Sequence, residues 1–146
     1  MESARPARPE DLGEVVALAR QARSELAGER GAELFVGHDL PPVEQALTGR
    51  AVFVGCIDAC VVGYAVVSTE GLRDGRHLGV IHELYVEPGA RAVGVGEALM
   101  GQVVAHCRHA GCLGIDAVAL PGMRETKNFY ETFGLVARAI VVHRAL

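Results

Sequence analysis

The run ELYVEPGARAVGVG, Glu83 to Gly96, joins two structural signals across a turn. Upstream, Gly79 to Val86 is an apolar strand-like stretch, ended by Glu87-Pro88-Gly89. Downstream, Val95, Leu99, Val103 and Cys107 recur at i, i+4 spacing, which predicts a helix from Val95 to Ala110 with one buried face. Two glycines, Gly94 and Gly96, open that helix. A helix start presents unpaired backbone N–H groups and the positive end of the dipole. Glycine lets a bulky anion approach the main chain. The natural ligand of such a turn is a phosphate or pyrophosphate.

Around this core the chain divides into short elements. Arg5 to Arg8 suits a first strand. Pro9-Glu10-Asp11 looks like a helix start, followed by Leu12, Val15, Val16, Ala19, Ala22 and Leu26 at helical spacing. A short helix fits after Pro41-Pro42. Ala51 to Ile57 and Cys60 to Ser68 are rich in Val and Ile and flank Asp58-Ala59, which predicts an antiparallel hairpin. Glu70 to His77 is expected to be a polar loop. Beyond the central helix, Gly111 is a stop signal and Gly114 to Leu120 a further strand. Arg124 to Phe133 predicts a helix, and Leu135 to His143 a final apolar strand. The expected fold is therefore α/β (α+β), a mixed, mostly antiparallel sheet flanked by helices, with strand-helix-strand-helix-strand in the C-terminal half. No repeat or linker interrupts it, so residues 1–146 are read as one domain.

Composition narrows the class. Half of the 146 residues are hydrophobic, enough for a core, so global disorder is excluded. The formal net charge of -4, without a long basic run, argues against nucleic acid or an anionic membrane as partner. The N-terminus lacks the apolar core of a signal peptide, and the apolar runs are too short for membrane-spanning helices. A cytoplasmic protein is the expectation. The spacing of His106, Cys107, His109 and Cys112 matches no standard zinc pattern, so no metal is expected. Cys56 and Cys60 flank the hairpin turn, where a cross-strand pair is conceivable.

Three families of phosphate-binding turn compete for the glycines. Gly94-Val95-Gly96 supplies two of the three glycines of a dinucleotide fingerprint, with Asp116 about twenty residues on, but Leu99 holds the third position and a hairpin precedes the motif. A Walker loop fails because no Gly-Lys-Ser/Thr follows. Arg91-Ala92-Val93-Gly94-Val95-Gly96 resembles the Arg/Gln-x-x-Gly-x-Gly/Ala signature of the GNAT superfamily of N-acetyltransferases. A second segment, Phe129-Tyr130-Glu131-Thr132-Phe133-Gly134-Leu135, resembles the Phe-Tyr-x-x-x-Gly-Phe/Leu segment of that family.

The resemblance implies acetyl-CoA as cosubstrate. It implies that Arg91, Ala92, Val93, Gly94, Val95 and Gly96 wrap the CoA pyrophosphate, and that a bulged strand offers the backbone of Leu84, Tyr85 and Val86 to the pantetheine arm. A backbone N–H there would polarise the thioester carbonyl. Tyr130 would stand beside the CoA sulfur as general acid. Two departures are visible. Ala92 and Val93 are apolar where the family often has basic residues, and Met123 holds a position where it often has Asn. Helical geometry places Met123, Thr126, Lys127 and Tyr130 on one face, so Thr126 and Lys127 are candidate CoA contacts and Asn128 points away.

Glu83 is the candidate general base, through water, since a carboxylate in an apolar strand must face a cleft, an edge or a partner. His82 is a weaker candidate. Strand alternation sends the two side chains to opposite faces unless a bulge intervenes. The implied reaction moves an acetyl group from acetyl-CoA to a primary amine of a small molecule or peptide. The competing readings are a non-catalytic acyl-CoA-binding or sensing domain, and a structural module in which an edge or final strand pairs with a second copy as a homodimer. The acceptor should depend on Ser24 to Thr48, which contains Glu25, Glu29, Glu33 and Asp39, and on the loop Glu70 to His77.

Overall fold

A computed structural model describes residues 1–146. It contains five strands, β1 (Glu2–Pro6), β2 (Ala51–Ile57), β3 (Cys60–Gly71), β4 (His77–Val86) and β5 (Cys112–Ala117). The helices are α1 (Leu12–Glu25), two short ones, α2 (Ala32–Leu34) and α3 (Val43–Ala46), then α4 (Val95–His109) and α5 (Arg124–Thr132). The strands form one sheet in sequence order. The first four are antiparallel neighbours, and β5 joins β4 in parallel after the α4 crossover. The mixed, mostly antiparallel sheet expected from the sequence is thus present.

Alternation along the strands divides the core into two layers. Val54, Tyr64, Val66 and Tyr85 face α1, packing with its Val15, Leu18 and Ala19. Phe53, Ala65, Val67 and Ile81 face the other way, onto Val95, Leu99, Met100, Val103 and Cys107 of α4. The i, i+4 stripe of α4 is fully covered, with Leu99 and Val103 at 0 % exposure, and Met100 beside it is equally buried. Burying a side chain of that size contributes about 1.5–3 kcal/mol each. Close approach is needed where sheet meets helix. A Cβ on Gly55 would lie 2.5 Å from Val95, and one on Gly79 2.5 Å from the Cys107 sulfur.

Two irregularities of β4 create a cleft. Its register with β3 shifts between Val66 and Val67, which pair with Glu83 and Ile81, leaving His82 as the extra residue of a β-bulge. Its parallel ladder with β5 ends at Ile81↔Ala117, so Glu83 to Val86 pair with β3 only, and their other backbone edge has no strand beside it, the Val86 carbonyl accepting from the Arg91 side chain. The sheet splits there.

Three expectations are corrected. The first strand lies earlier, at Glu2–Pro6, because those residues find the β2 edge. The expected polar loop at Glu70 begins later, since β3 continues through Gly71 opposite His77. The expected final strand at Leu135 to His143 does not form. Its apolar pattern is strand-like, but a strand needs a ladder partner, and no residue after Leu135 makes a backbone hydrogen bond within the chain. Cys56 is buried and Cys60 exposed, with partners Val61 and Ile57 respectively, and both thiols are free.

Candidate active site

The split between β4 and β5 opens into a cavity of about 710 Å³, lined by residues of α1, β4, the glycine turn, the segment after β5 and α5. Glu83, Leu84, Tyr85, Val86, Arg91, Ala92, Gly96, Thr126 and Tyr130 all line it. The two motifs singled out from the sequence therefore converge on one space. Val93, Gly94, Val95 and Lys127 do not line it directly. Lys127 instead pairs with Glu131 on the surface of α5.

The glycine turn is shaped to receive an anion. Gly94 has φ +94° and Ala92 φ +66°, left-handed values that curl the chain before α4. None of the six N–H groups from Ala92 to Glu97 has a partner within the protein; the first bond of the helix is Ala98 N–H to the Gly94 carbonyl. Six consecutive free donors at a helix N-terminus fit a pyrophosphate without basic side chains at positions 92 and 93. Arg91 turns away from these donors. Its guanidinium lies over the Tyr85 ring, its Nε donates to the Val86 carbonyl at 2.7 Å, and its Nη2 pairs with Glu25 at 3.0 Å. The Tyr85 hydroxyl also donates to Glu25. Burial, then that bond to the Glu25 carboxylate, pushes the Tyr85 phenol up to about 12.

Glu83 is almost enclosed, and its carboxylate has partners. Arg23 Nη1 donates to Oε1 at 2.8 Å, and the Tyr64 hydroxyl donates to the same oxygen at 2.6 Å. Arg23 is itself anchored by donating to the Pro41 carbonyl at 2.9 Å. Burial and the adjacent Glu83 carboxylate raise the Tyr64 phenol far above the usual tyrosine range, so it stays a donor. Arg23 and Tyr64 were not singled out in the sequence. Arg23 carried a signal, since Val15, Ala19 and Arg23 fall at i, i+4, i+8 and put a guanidinium on the buried stripe of α1.

The bulge brings His82 to the same side as Glu83, and both line the cavity. His82 Nε2 is 2.6 Å from the Ser68 hydroxyl. Burial, then the Arg50 charge, lowers its pKa, which keeps the ring neutral near pH 7.

Tyr130 enters from α5 on the opposite wall. It is buried beside Phe129, which also stacks on Phe133. Burial pushes its phenol up to about 12. Every fully buried polar side-chain atom of the protein has a hydrogen-bond partner, whereas the Tyr130 hydroxyl has none within the chain, so it is open to the cavity. Asn128 is exposed and points away, and Met123 lines the cavity. From the acceptor region, Glu25, Leu26, Glu29, Phe35 and Leu40 line the cavity, but Glu33, Asp39 and the β3–β4 turn do not. His106, Cys107, His109 and Cys112 do not gather into a metal-ligating group.

The sequence pattern of the acetyltransferase (GNAT) family matches residues 17–135, which include the glycine turn, the split strand and Tyr130. The chain belongs to the GNAT acetyltransferase family. Solved structures share its fold over their whole length. An acetyltransferase of Trypanosoma brucei is 24% identical, with TM-score 0.69 and 100% of each chain covered. A ribosomal-protein-alanine N-acetyltransferase of Brucella melitensis biovar Abortus 2308 is 14% identical, with TM-score 0.76 and coverage of 100% and 99%. An aminoglycoside acetyltransferase from an uncultured soil metagenomic sample is 13% identical, with TM-score 0.70 and the same coverage. Among curated proteins no sequence matches this GNAT chain. No helix of the chain is long and apolar enough to cross a membrane.

Proposed function

We propose that this protein transfers the acetyl group of acetyl-CoA to a primary amine of a small molecule or a peptide, working in the cytoplasm without a metal. The observation that carries the reading is the β4 backbone edge at Leu84 to Val86, left without a strand partner, in one cavity with a glycine turn that has six free N–H groups and whose Ala92, Gly96 and Glu97 line that cavity. An extended amide-bearing arm suits the first, and a pyrophosphate the second. Arg91 would turn from Glu25 to a phosphate, and Thr126 would line the path of the arm. Lys127, on the outer face of α5, would reach only an exposed part of the cosubstrate.

In the reaction the amine nitrogen attacks the thioester carbonyl, a C–N bond forms and the C–S bond breaks. The thiolate leaves with a proton from Tyr130, whose burial keeps it protonated at neutral pH. The amine proton passes through a water to Glu83. A carboxylate has about four acceptor sites, so Arg23 and Tyr64 leave room for that water while fixing the carboxylate in place. A backbone N–H of the open β4 edge would stabilise the oxyanion.

Calorimetric titration with acetyl-CoA, with NAD as control, tests the cosubstrate, and thiol release in an amine screen tests the transfer. Saturable binding of acetyl-CoA alone, with thiol release dependent on an amine, is the expected result. No binding to folded protein would overturn the assignment. Binding without turnover on any amine would favour an acyl-CoA sensor, a reading that the ion-paired state of Glu83 supports.

A further inference from the structure

The segment after Leu135 has no structural explanation within one chain. Val136, Ile140, Val141 and Val142 are 81%, 84%, 94% and 89% exposed, and every residue from 136 to 146 is exposed. None makes a backbone hydrogen bond. The arm is held to the body at one point, where Arg138 pairs with Asp116 of β5, its Nε donating to Oδ1 at 2.8 Å. So long an apolar run left in water is uncommon for a self-sufficient domain and marks an interaction surface. Its composition is that of a strand, with valine and isoleucine on both faces, not of a flexible tail.

The same molecule carries an unfilled place for a strand. β5 is the last strand of the sheet, so its outer edge offers unpaired N–H and C=O groups. Leu113 and Val118 beside it are 51% and 63% exposed. The arm lies against this edge at Asp116 and yet leaves it unpaired.

We infer that the arm Val136 to Leu146 of one copy pairs with the outer edge of β5 in a second copy, and that the two copies exchange arms. Both surfaces exist on every chain, so reciprocal exchange closes a two-fold dimer in which each arm and each β5 edge is used. Charge favours the pairing. The whole chain carries -4, and the arm contributes Arg138 and Arg144 with no acid, so the remainder carries -6. A basic arm therefore meets an acidic body, with Asp116 on the receiving edge. The area is sufficient. An extended arm of this length exposes roughly 1,700 Å². Covering half of each of two arms, and the surfaces beneath them, passes the roughly 1,600 Å² of a standard stable interface. The exchange also bears on the site, because Val118 and Leu120, just beyond β5, line the cavity.

Sedimentation velocity of the 146-residue chain tests this, alongside hydrogen exchange of residues 136–146. The expected species has twice the 15.4 kDa of one chain, with protected arm amides. Val141→Pro removes a ladder donor at a fully exposed position, and Ile140→Asp places a charge on the buried face. Both should give monomers with unchanged circular dichroism, because both side chains are exposed in the single chain. Leu113→Lys, on the receiving edge, should also shift the population to monomer. A wild-type protein that stays monomeric over a wide concentration range would overturn the proposal. So would arm protection in a monomer, which would place the arm on its own edge, or a dimer that survives both arm variants. None of these readouts depends on acetyl-CoA.

Discussion

Arg91 and Glu25 close on each other across one end of the cavity, with Nη2 3.0 Å from Oε1. The residue best placed to grip a phosphate is thus held by the last residue of α1. The pair is partly exposed, so it is readily exchanged for a stronger anion. Removing the carboxylate removes a competitor. Glu25→Gln should tighten acetyl-CoA binding, by up to about fivefold, the range of an exposed ion pair. Calorimetry on the variant checks this; weaker binding would mean that Glu25 orients Arg91 toward the phosphates.

The Arg23–Glu83 pair is different in kind, because both side chains are largely enclosed. Truncating one partner of such a pair leaves the other charge without compensation, at a cost of about 3 kcal/mol. Arg23→Ala should therefore lower the thermal midpoint, by roughly 9 °C. It should also reduce turnover, because Glu83 loses the group that fixes it. Glu83→Gln should keep its bond from Tyr64 and the fold, yet lose most turnover. His82→Ala serves as the contrast. A larger kinetic loss there than in Glu83→Gln would transfer the base role to His82.

The strands and helices were legible because local periodicity and turn residues fix them. β2 and the start of α4 fall where valine runs and glycines put them. The convergence of the glycine turn and Tyr130 was legible only through two motifs seen together. What the sequence could not show depends on pairing across long separations. The bulge at His82 arises from register with β3, so simple alternation separates two side chains that in fact share a cavity. Arg23 was visible as a charge on an apolar stripe, but its partner lies 60 residues away. The apolar run after Leu135 reads as a strand whether or not its partner is in the same chain.

Tyr130 offers the sharpest kinetic test. Its hydroxyl has no partner within the protein, so Tyr130→Phe should leave stability and acetyl-CoA affinity nearly unchanged. If it protonates the leaving thiolate, turnover should fall by about 10². Steady-state kinetics with calorimetry on the same preparation separates the two effects. Equal turnover in both proteins would remove Tyr130 as the acid.

Gly94→Asp combines backbone strain with misplaced charge. At φ +94° an L side chain is strained, by about 1–2 kcal/mol. Its Cβ would approach Glu2 to 3.0 Å at Cγ and 3.3 Å at Oε1. A carboxylate beside the free N–H groups would also occupy the place of a phosphate. The variant should fold, with a modestly lower melting point, and lose saturable acetyl-CoA binding. Unchanged affinity would move the cosubstrate away from the glycine turn.

The acid side of the stability curve should report on Asp11, where the chain passes from β1 to α1. Its Oδ2 accepts from Arg5 at 2.6 Å and from the Arg8 backbone N–H at 2.7 Å. The Arg5 bond first, and then the Arg8 bond, hold its carboxyl at about 2, below the ordinary 3.8. A depressed carboxyl binds fewer protons in the folded state than in the unfolded one between these two values. The stability it contributes is therefore complete above about pH 4 and is lost as pH falls through about 2. Asp11→Asn should cost about 2 kcal/mol at neutral pH, through the lost charged hydrogen bonds. The difference from wild type should shrink as pH falls toward 2. Thermal melts of both proteins from pH 6 down to about 2 make the comparison, and a difference that stays constant with pH would show that the Asp11 charge does not stabilise the junction.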